Sequence, residues 1–475
     1  MGGIVRPMLW VKVIVAATLL GCSGRALPRE IAADGAAGRD APWFPDAGPP
    51  DAAVDVAADV APDVEPDTMA WRCTPHSAGT PWCDNEPISV PATPTNAEVA
   101  LAVDSGARAV ASWISGSAPF DIVAAGSTDD FATQTTLGPS SLFGFDPAMA
   151  SDGSRTYLVY LTTDYVTSDL WATSSDDGGL SWSPRVRIND DVSFHDRPWV
   201  SVAPGGEVVV GWKEDDEFAG EAWHRIAVSS DRGASFAQRA ALSDAWNRSP
   251  PGSAIAFAAD GAWVWALTDW SVSGNVRAVY LRSTDQGGSF STTTLDSSPI
   301  PSGEMGLDMN TRRHLGLSYQ ASIAASGGTV YVAFVRPAGV WQRELHVVAS
   351  ADGQAFGGAR RVDTGAGISH MLPQFWIAAD EAGGAHLAWY EERDNLWGVF
   401  ASSTADGSSW SGVVPVSDET FEADDWGPLL EQDPGRWPGH FFGLSPHAGH
   451  LYAAWGDIRS GQSLIFFSRT AYPVY

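Results

Sequence analysis

Arginine, acid and histidine side chains gather at a few places along the 475 residues. One set is His195-Asp196-Arg197, Arg248, Arg312-Arg313-His314, His370 and His440. A second is Lys213-Glu214-Asp215-Asp216, Asp269, Tyr390-Glu391-Glu392-Arg393 and Asp457-Ile458-Arg459. Guanidinium groups grip carboxylates through two parallel hydrogen bonds, and carboxylates and imidazoles move protons. The histidines have no His-x-His or His-Glu-x-x-His spacing, so no zinc centre is expected. The acidic run from Glu214 to Glu217 offers hard oxygen ligands and could hold calcium. No serine-nucleophile elbow, phosphate-binding loop or dinucleotide fingerprint is present.

These groups are scattered over more than half the chain, so a repeated scaffold has to bring them together, and one is visible. Ser175-x-Asp177-x-Gly179-x-Ser181-Trp182 recurs as Ser229-x-Asp231-x-Gly233-x-Ser235-Phe236 and as Ser283-x-Asp285-x-Gly287-x-Ser289-Phe290 at 54-residue intervals. Weaker copies stand at Ser350-Ala351-Asp352 with Phe356 and at Ser127-x-Asp129 before Phe131. Another begins at Ser403, with Ala405 in the acid position and Gly407-x-Ser409-Trp410 after it. The phrase reads as a hairpin turn: Asp caps amides, Gly takes a positive φ, and the aromatic returns to the core. Alternating apolar runs precede each copy, the pattern of short strands between turns.

Four strands per repeat make a propeller blade, so the fold class expected is all-β, one propeller of four-stranded antiparallel blades. Inner strands beginning near Glu98, Asp146, Arg197, Ser253, Ser318, Gln374 and Phe441 give seven blades, with six as the alternative. The last unit supplies only three strands, so Ile88 to Ala92 is expected to close the ring and remove the exposed sheet edge. The two polar sets then fall at blade entrances and after second strands, around one mouth on the face opposite the repeated turns.

The repeated phrase resembles the Asp-box of the sialidase-like propellers, and the resemblance covers nearly the whole chain after its first 70 residues. It implies a ligand on that opposite face. It also implies a sialidase-like glycoside hydrolase chemistry, in which Arg197, Arg313 and Arg393 or Arg459 clamp a carboxylate. Tyr390 with Glu391 would be the nucleophilic pair, and Asp196 or Asp215 the proton donor. The other reading is a non-catalytic module that binds a glycan or protein on the same face. Trp199, Trp212, Trp223, Trp341 and Trp397 could stack on sugars there, although tryptophan in propellers more often fills space between blades.

The start of the chain has its own logic. Arg6 and Lys12, an apolar run and Leu19-Leu20-Gly21-Cys22 resemble a lipoprotein signal peptide over 1–21, with Cys22 acylated after cleavage. Ser23 after that cysteine points to the outer rather than the inner membrane of a cell envelope. Residues 22–70, rich in Ala, Asp and Pro, are expected to be a disordered tether of roughly 40 Å or more. Residues 71–85 form a lead-in in which Cys73 and Cys83 could pair as a disulfide, and 86–475 form the propeller. The formal net charge is −29, and only ten acidic and three basic side chains lie between residues 23 and 70. Most of that charge therefore belongs to the folded body, which would repel nucleic acid. A monomer is expected.

Overall fold

Each complete Ser-x-Asp-x-Gly-x-Ser phrase folds into the same turn between the third and fourth strands of a sheet. In the first, Ser175 Oγ donates to Asp177 Oδ1 at 2.8 Å, and the Gly179 and Ser181 amides donate to Ser175 Oγ and Asp177 Oδ1, both at 2.9 Å. The copies at Asp231 and Asp285 repeat the set within 0.1 Å. Gly287 has φ +85°, and a Cβ there would stand 3.0 Å from the Trp263 ring, so glycine is required twice over. Trp182, Phe236 and Phe290 return to pack on the core. In blade 6 the turn is shifted by one residue from the sequence expectation. Asp406, not position 405, accepts the Ser408 amide at 2.7 Å, and Thr404 Oγ1 accepts Gly407 N–H at 2.9 Å.

These turns have an acid signature. The Ser235 and Ser229 hydroxyls hold the Asp231 carboxyl down to about 2, and the Ser283 and Ser289 hydroxyls do the same for Asp285, against an ordinary value of 3.8. A depressed folded pKa contributes stability above 3.8 that is lost as pH falls toward about 2. The double variant Asp231→Asn, Asp285→Asn should therefore lose less stability than the native chain over that interval, measured by urea midpoints at stepped pH. Parallel curves would remove this account.

The computed structural model describes residues 75–471 apart from 77–79, 92, 94, 118, 139–141, 165, 217–220, 243–251, 270–273, 301–319, 340–341, 364–373, 394–395, 423–438 and 440. The expected leader and tether, with Cys22 and Cys73, lie outside them; Cys83 is 1% exposed. Among the described residues no helix is long and apolar enough to cross a membrane. Seven antiparallel sheets follow one another; in the first six the strands run in chain order, and the sixth also pairs Phe421–Glu422 with Leu396–Thr404. Their inner strands are Asn96–Val103, Phe143–Ser151, Phe194–Val202, Ala256–Phe257, Ala321–Ser326, Phe375–Ala379 and Gly443–His447. The chain is a seven-bladed propeller, and the six-blade alternative falls.

The last sheet runs Glu86–Pro87, Leu464–Arg469, His450–Asp457, Gly443–His447, so the two ends of the ring are paired. The closing strand comes earlier than the expected Ile88 to Ala92. Val90 O accepts both the amide and the hydroxyl of Thr93, which turns the chain there. Pro87 suits an outer strand, where a missing N–H costs no ladder bond.

Space between the blades is filled by a second repeat, made of tryptophans. Trp113, Trp212, Trp265, Trp389 and Trp455 lie on the second strands of blades 1, 3, 4, 6 and 7, and all are fully buried. Their indole N–H groups donate to Asn96 Oδ1, His195 Nδ1, Ser253 O, Glu391 Oε2 and Asp457 Oδ2, at 2.9 to 3.3 Å. Large apolar bodies are thus buried without stranding a donor.

Candidate functional site

Three inner strands carry the same irregularity. The pairing register shifts between Ala97 and Ala100 in blade 1, Phe145 and Ala148 in blade 2, and Asp196 and Trp199 in blade 3. In each bulge a charged residue takes a left-handed backbone conformation: Glu98 at φ +55°, Asp146 at +53°, Arg197 at +49°. Such conformations are costly for these residue types and cluster at functional positions. All three are buried, at 2%, 7% and 4% exposure. The bulge residues also link one blade to the next: Asp146 N–H donates to Glu98 Oε2 at 3.0 Å, and Arg197 N–H to Asp146 Oδ2 at 3.1 Å. Ser253 Oγ similarly accepts Ile323 N–H from blade 5 at 3.1 Å.

The electrostatics follow from this crowding. Burial, then the charges of Glu98 and Asp196, push the Asp146 carboxyl well above the usual range, and Arg197 opposes the shift. The Arg197 guanidinium lies 5.2 Å from the Phe441 ring centre. The mouth therefore holds one described arginine among three acids, where a carboxylate clamp would need several cations.

His195 is fully buried beside this group. Its Nε2 lies 2.8 Å from Asp191 Oδ1, and Asp191, His195 and Glu214 bring their ligand atoms within 4.8 Å of one another, a grouping that could suit a metal. Two features argue against that use. Trp212 Nε1–H donates to His195 Nδ1, so the proton of neutral His195 sits on Nε2, the atom that a metal would need. Glu214 is already held by Nε and Nη2 of Arg225, at 2.8 and 3.0 Å. The calcium expectation at Glu214 meets the same obstacle; Glu217 lies outside the described residues. Burial lowers the His195 pKa, with Asp191 and Glu214 pulling the other way.

The other expected site residues divide plainly. Tyr390 is fully buried in the core between blades 6 and 7, and its hydroxyl donates to Gly456 O at 2.8 Å. Glu391 follows it on the same strand and so points to the other face of the sheet; there it accepts Trp389 Nε1–H. The structure does not bring this pair together as a nucleophile and its activator. Arg459 is tied to fully buried Asp457 at 2.8 and 2.7 Å and also pairs with Asp418. Burial raises the Asp457 pKa and Arg459 counters it. Asp196 stays half-buried at the mouth. Arg248, Arg313, His314, His370 and His440 lie outside the described residues, as do the side chains of Arg393 and Asp215. Of the candidate stacking residues, Trp212 and Trp397 are fully buried, Trp199 is 6% exposed, and Trp341 lies outside. Trp223 is half-buried with Arg225 5.7 Å from its ring centre.

No protein-family model and no curated protein matches the chain. Among solved structures it is similar to the Hadza microbial sialidase Hz136, with 14% identity over 64% of this chain and 66% of that one, at TM-score 0.46. It is also similar to a Dyadobacter fermentans protein of unknown function, 13% identical over 81% and 97%, TM-score 0.46. Trypanosoma rangeli sialidase is 12% identical over 79% of this chain, TM-score 0.42, and this chain spans 54% of its length. Two of these three neighbours are sialidases by name; the blade count here rests on this chain's own sheets.

Sequence reasoning placed Arg197 at the mouth but passed over Glu98 and Asp146. The available signal is their spacing, 48 and 51 residues apart, and the proline after Asp146 and after Arg197.

Proposed function

We propose that this chain is a cell-envelope lipoprotein, held to a membrane, outer rather than inner, through a lipid on Cys22. Its propeller binds a glycan or protein ligand on the face opposite the Asp turns and does not turn it over. The observation that carries the non-catalytic reading is the setting of Tyr390. Burial pushes its phenol well above the usual range, and its hydroxyl is spent on Gly456 O. Arg459, locked on two acids, supports the same reading, and the acids at the mouth disfavour an anionic sugar. Leu19-Leu20-Gly21-Cys22 supports the anchor.

The test is incubation of the full chain with a methylumbelliferyl sialoside and, separately, a glycan array. No fluorophore release and saturable retention of at least one glycan are expected. Tyr390→Phe should cost about 1 kcal/mol of stability through the lost hydrogen bond and change no turnover. Measurable turnover that Tyr390→Phe abolishes would overturn the proposal in favour of a sialidase-like glycoside hydrolase.

A further inference from the structure

The axis of the ring is closed part-way along. Trp199 of blade 3 and Trp376 of blade 6 meet with ring centres 4.8 Å apart, and Phe441 stands edge-on to Trp199 at 5.1 Å. Blades 4 and 5 separate blades 3 and 6 along the chain, so this contact bridges the axis. On the side of the Asp turns, a cavity of about 470 Å3 lies between the inner strands of blades 1, 2, 3, 6 and 7. The two indoles form its floor. Its mouth lies among the first-to-second-strand turns, at Ser105, Gly153, Glu381 and His447, on the opposite side of the aromatic plug from Glu98, Asp146 and Arg197.

The lining narrows the chemistry of an occupant. Leu101, Met149, Ile377 and Leu444 bring apolar patches to the walls, and Asp104, Ser105, Ser151 and Ser445 bring polar ones, so the cup suits a small molecule with both a flat apolar body and a polar group. Ser201, two residues beyond Trp199 on the same strand, is also in the wall. At the rim, the Glu381 side chain is 69% exposed, with His447 Nδ1 3.6 Å from its carboxylate. That carboxylate, on a chain of net charge −29, favours a cation over an anion.

We infer that this blind cup is a second ligand site, for a small amphipathic cation whose ring lies against Trp376 and whose ammonium group faces Glu381. It is independent of the ligand proposed for the opposite face.

Calorimetric titration of the full chain with 2-phenylethylamine, and with 3-phenylpropionate as its anionic counterpart, tests the inference. The amine should bind saturably and about tenfold or more tighter than the acid, a difference of about 1.4 kcal/mol. Ser201→Leu places a larger side chain inside the cup and should weaken the amine by about tenfold or more, with an unchanged melting curve as its folding control. Glu381→Gln, at an exposed position, should leave the fold intact and reduce the preference for amine over acid about threefold, roughly the worth of one screened charge pair. No saturable heat with the amine at 10 mM (roughly the weakest Kd scale for so small a ligand), equal affinity for the two probes, or amine binding unchanged in both variants would each overturn it.

Discussion

Trp82→Ala should cost the propeller about 3–5 kcal/mol, the range for emptying a buried tryptophan site. Trp82 is fully buried and belongs to the core shared by blades 6 and 7, although blade 6 begins only at Phe375. It anchors a strap that is hydrogen-bonded to the last two blades. Trp82 pairs with Thr470, Cys83 N–H donates to Arg469 O at 2.9 Å, and Ile88 N–H donates to Ile465 O at 2.8 Å. Asn85 exchanges hydrogen bonds with Asp418, at 3.2 and 2.7 Å. Emptying the Trp82 site loosens the strap and with it the closure that hides the edge of blade 7. The measurement is the urea midpoint followed by circular dichroism, with Trp223→Ala as a control at a half-buried position. A loss no larger than the control's would mean that the strap is not a structural joint.

The second large effect concerns the buried charges at the mouth. Arg197→Ala should destabilise the fold by about 3 kcal/mol at pH 8, because it removes the cation nearest to buried acids. The sign with pH follows from Asp146. Its folded pKa is raised, so its ionised form is disfavoured in the fold, and stability falls as pH rises from 3.8 through that raised value. The deficit of Arg197→Ala should therefore shrink as pH is lowered toward the ordinary carboxylate range. Asp146→Asn keeps an oxygen for the Arg197 amide and drops the charge, so it should gain stability at pH 8 and restore most of the loss when combined with Arg197→Ala. Denaturation midpoints at pH 5 and pH 8 for the three variants decide it. A deficit independent of pH would show that the charges do not interact.

The fold was more legible than the site, for physical reasons. Turn chemistry is local: Ser175, Asp177 and Gly179 satisfy one another within five residues, so the phrase survives as a readable string wherever a third strand ends. Alternating apolar runs then gave the strands between. The closing strand starts two residues before the expected Ile88 and stops short of Ala92, because the Val90–Thr93 turn breaks the extended chain. The site depends on groups from separate blades, which no local pattern announces. Glu98 and Asp146 look like stray acids in apolar strands until equivalent bulges are laid side by side. Tyr390 and Glu391 mislead in the opposite way. Adjacent residues on a strand face apart, so their proximity in sequence ensured separation in space. Asp457 ends its strand and Arg459 lies in the turn just after it, where the two neutralise each other instead of reaching toward a ligand.

The strap has a mechanical consequence. A pull on the chain from before residue 80 reaches the blades through the few backbone bonds between residues 81–88 and 465–471, not through any covalent crossing between blades. Because blade 1 follows the strap along the chain, failure there would free blade 7 from blade 1 while leaving each remaining sheet whole. Under load, the molecule should therefore yield in a first discrete step at this junction before any blade unravels.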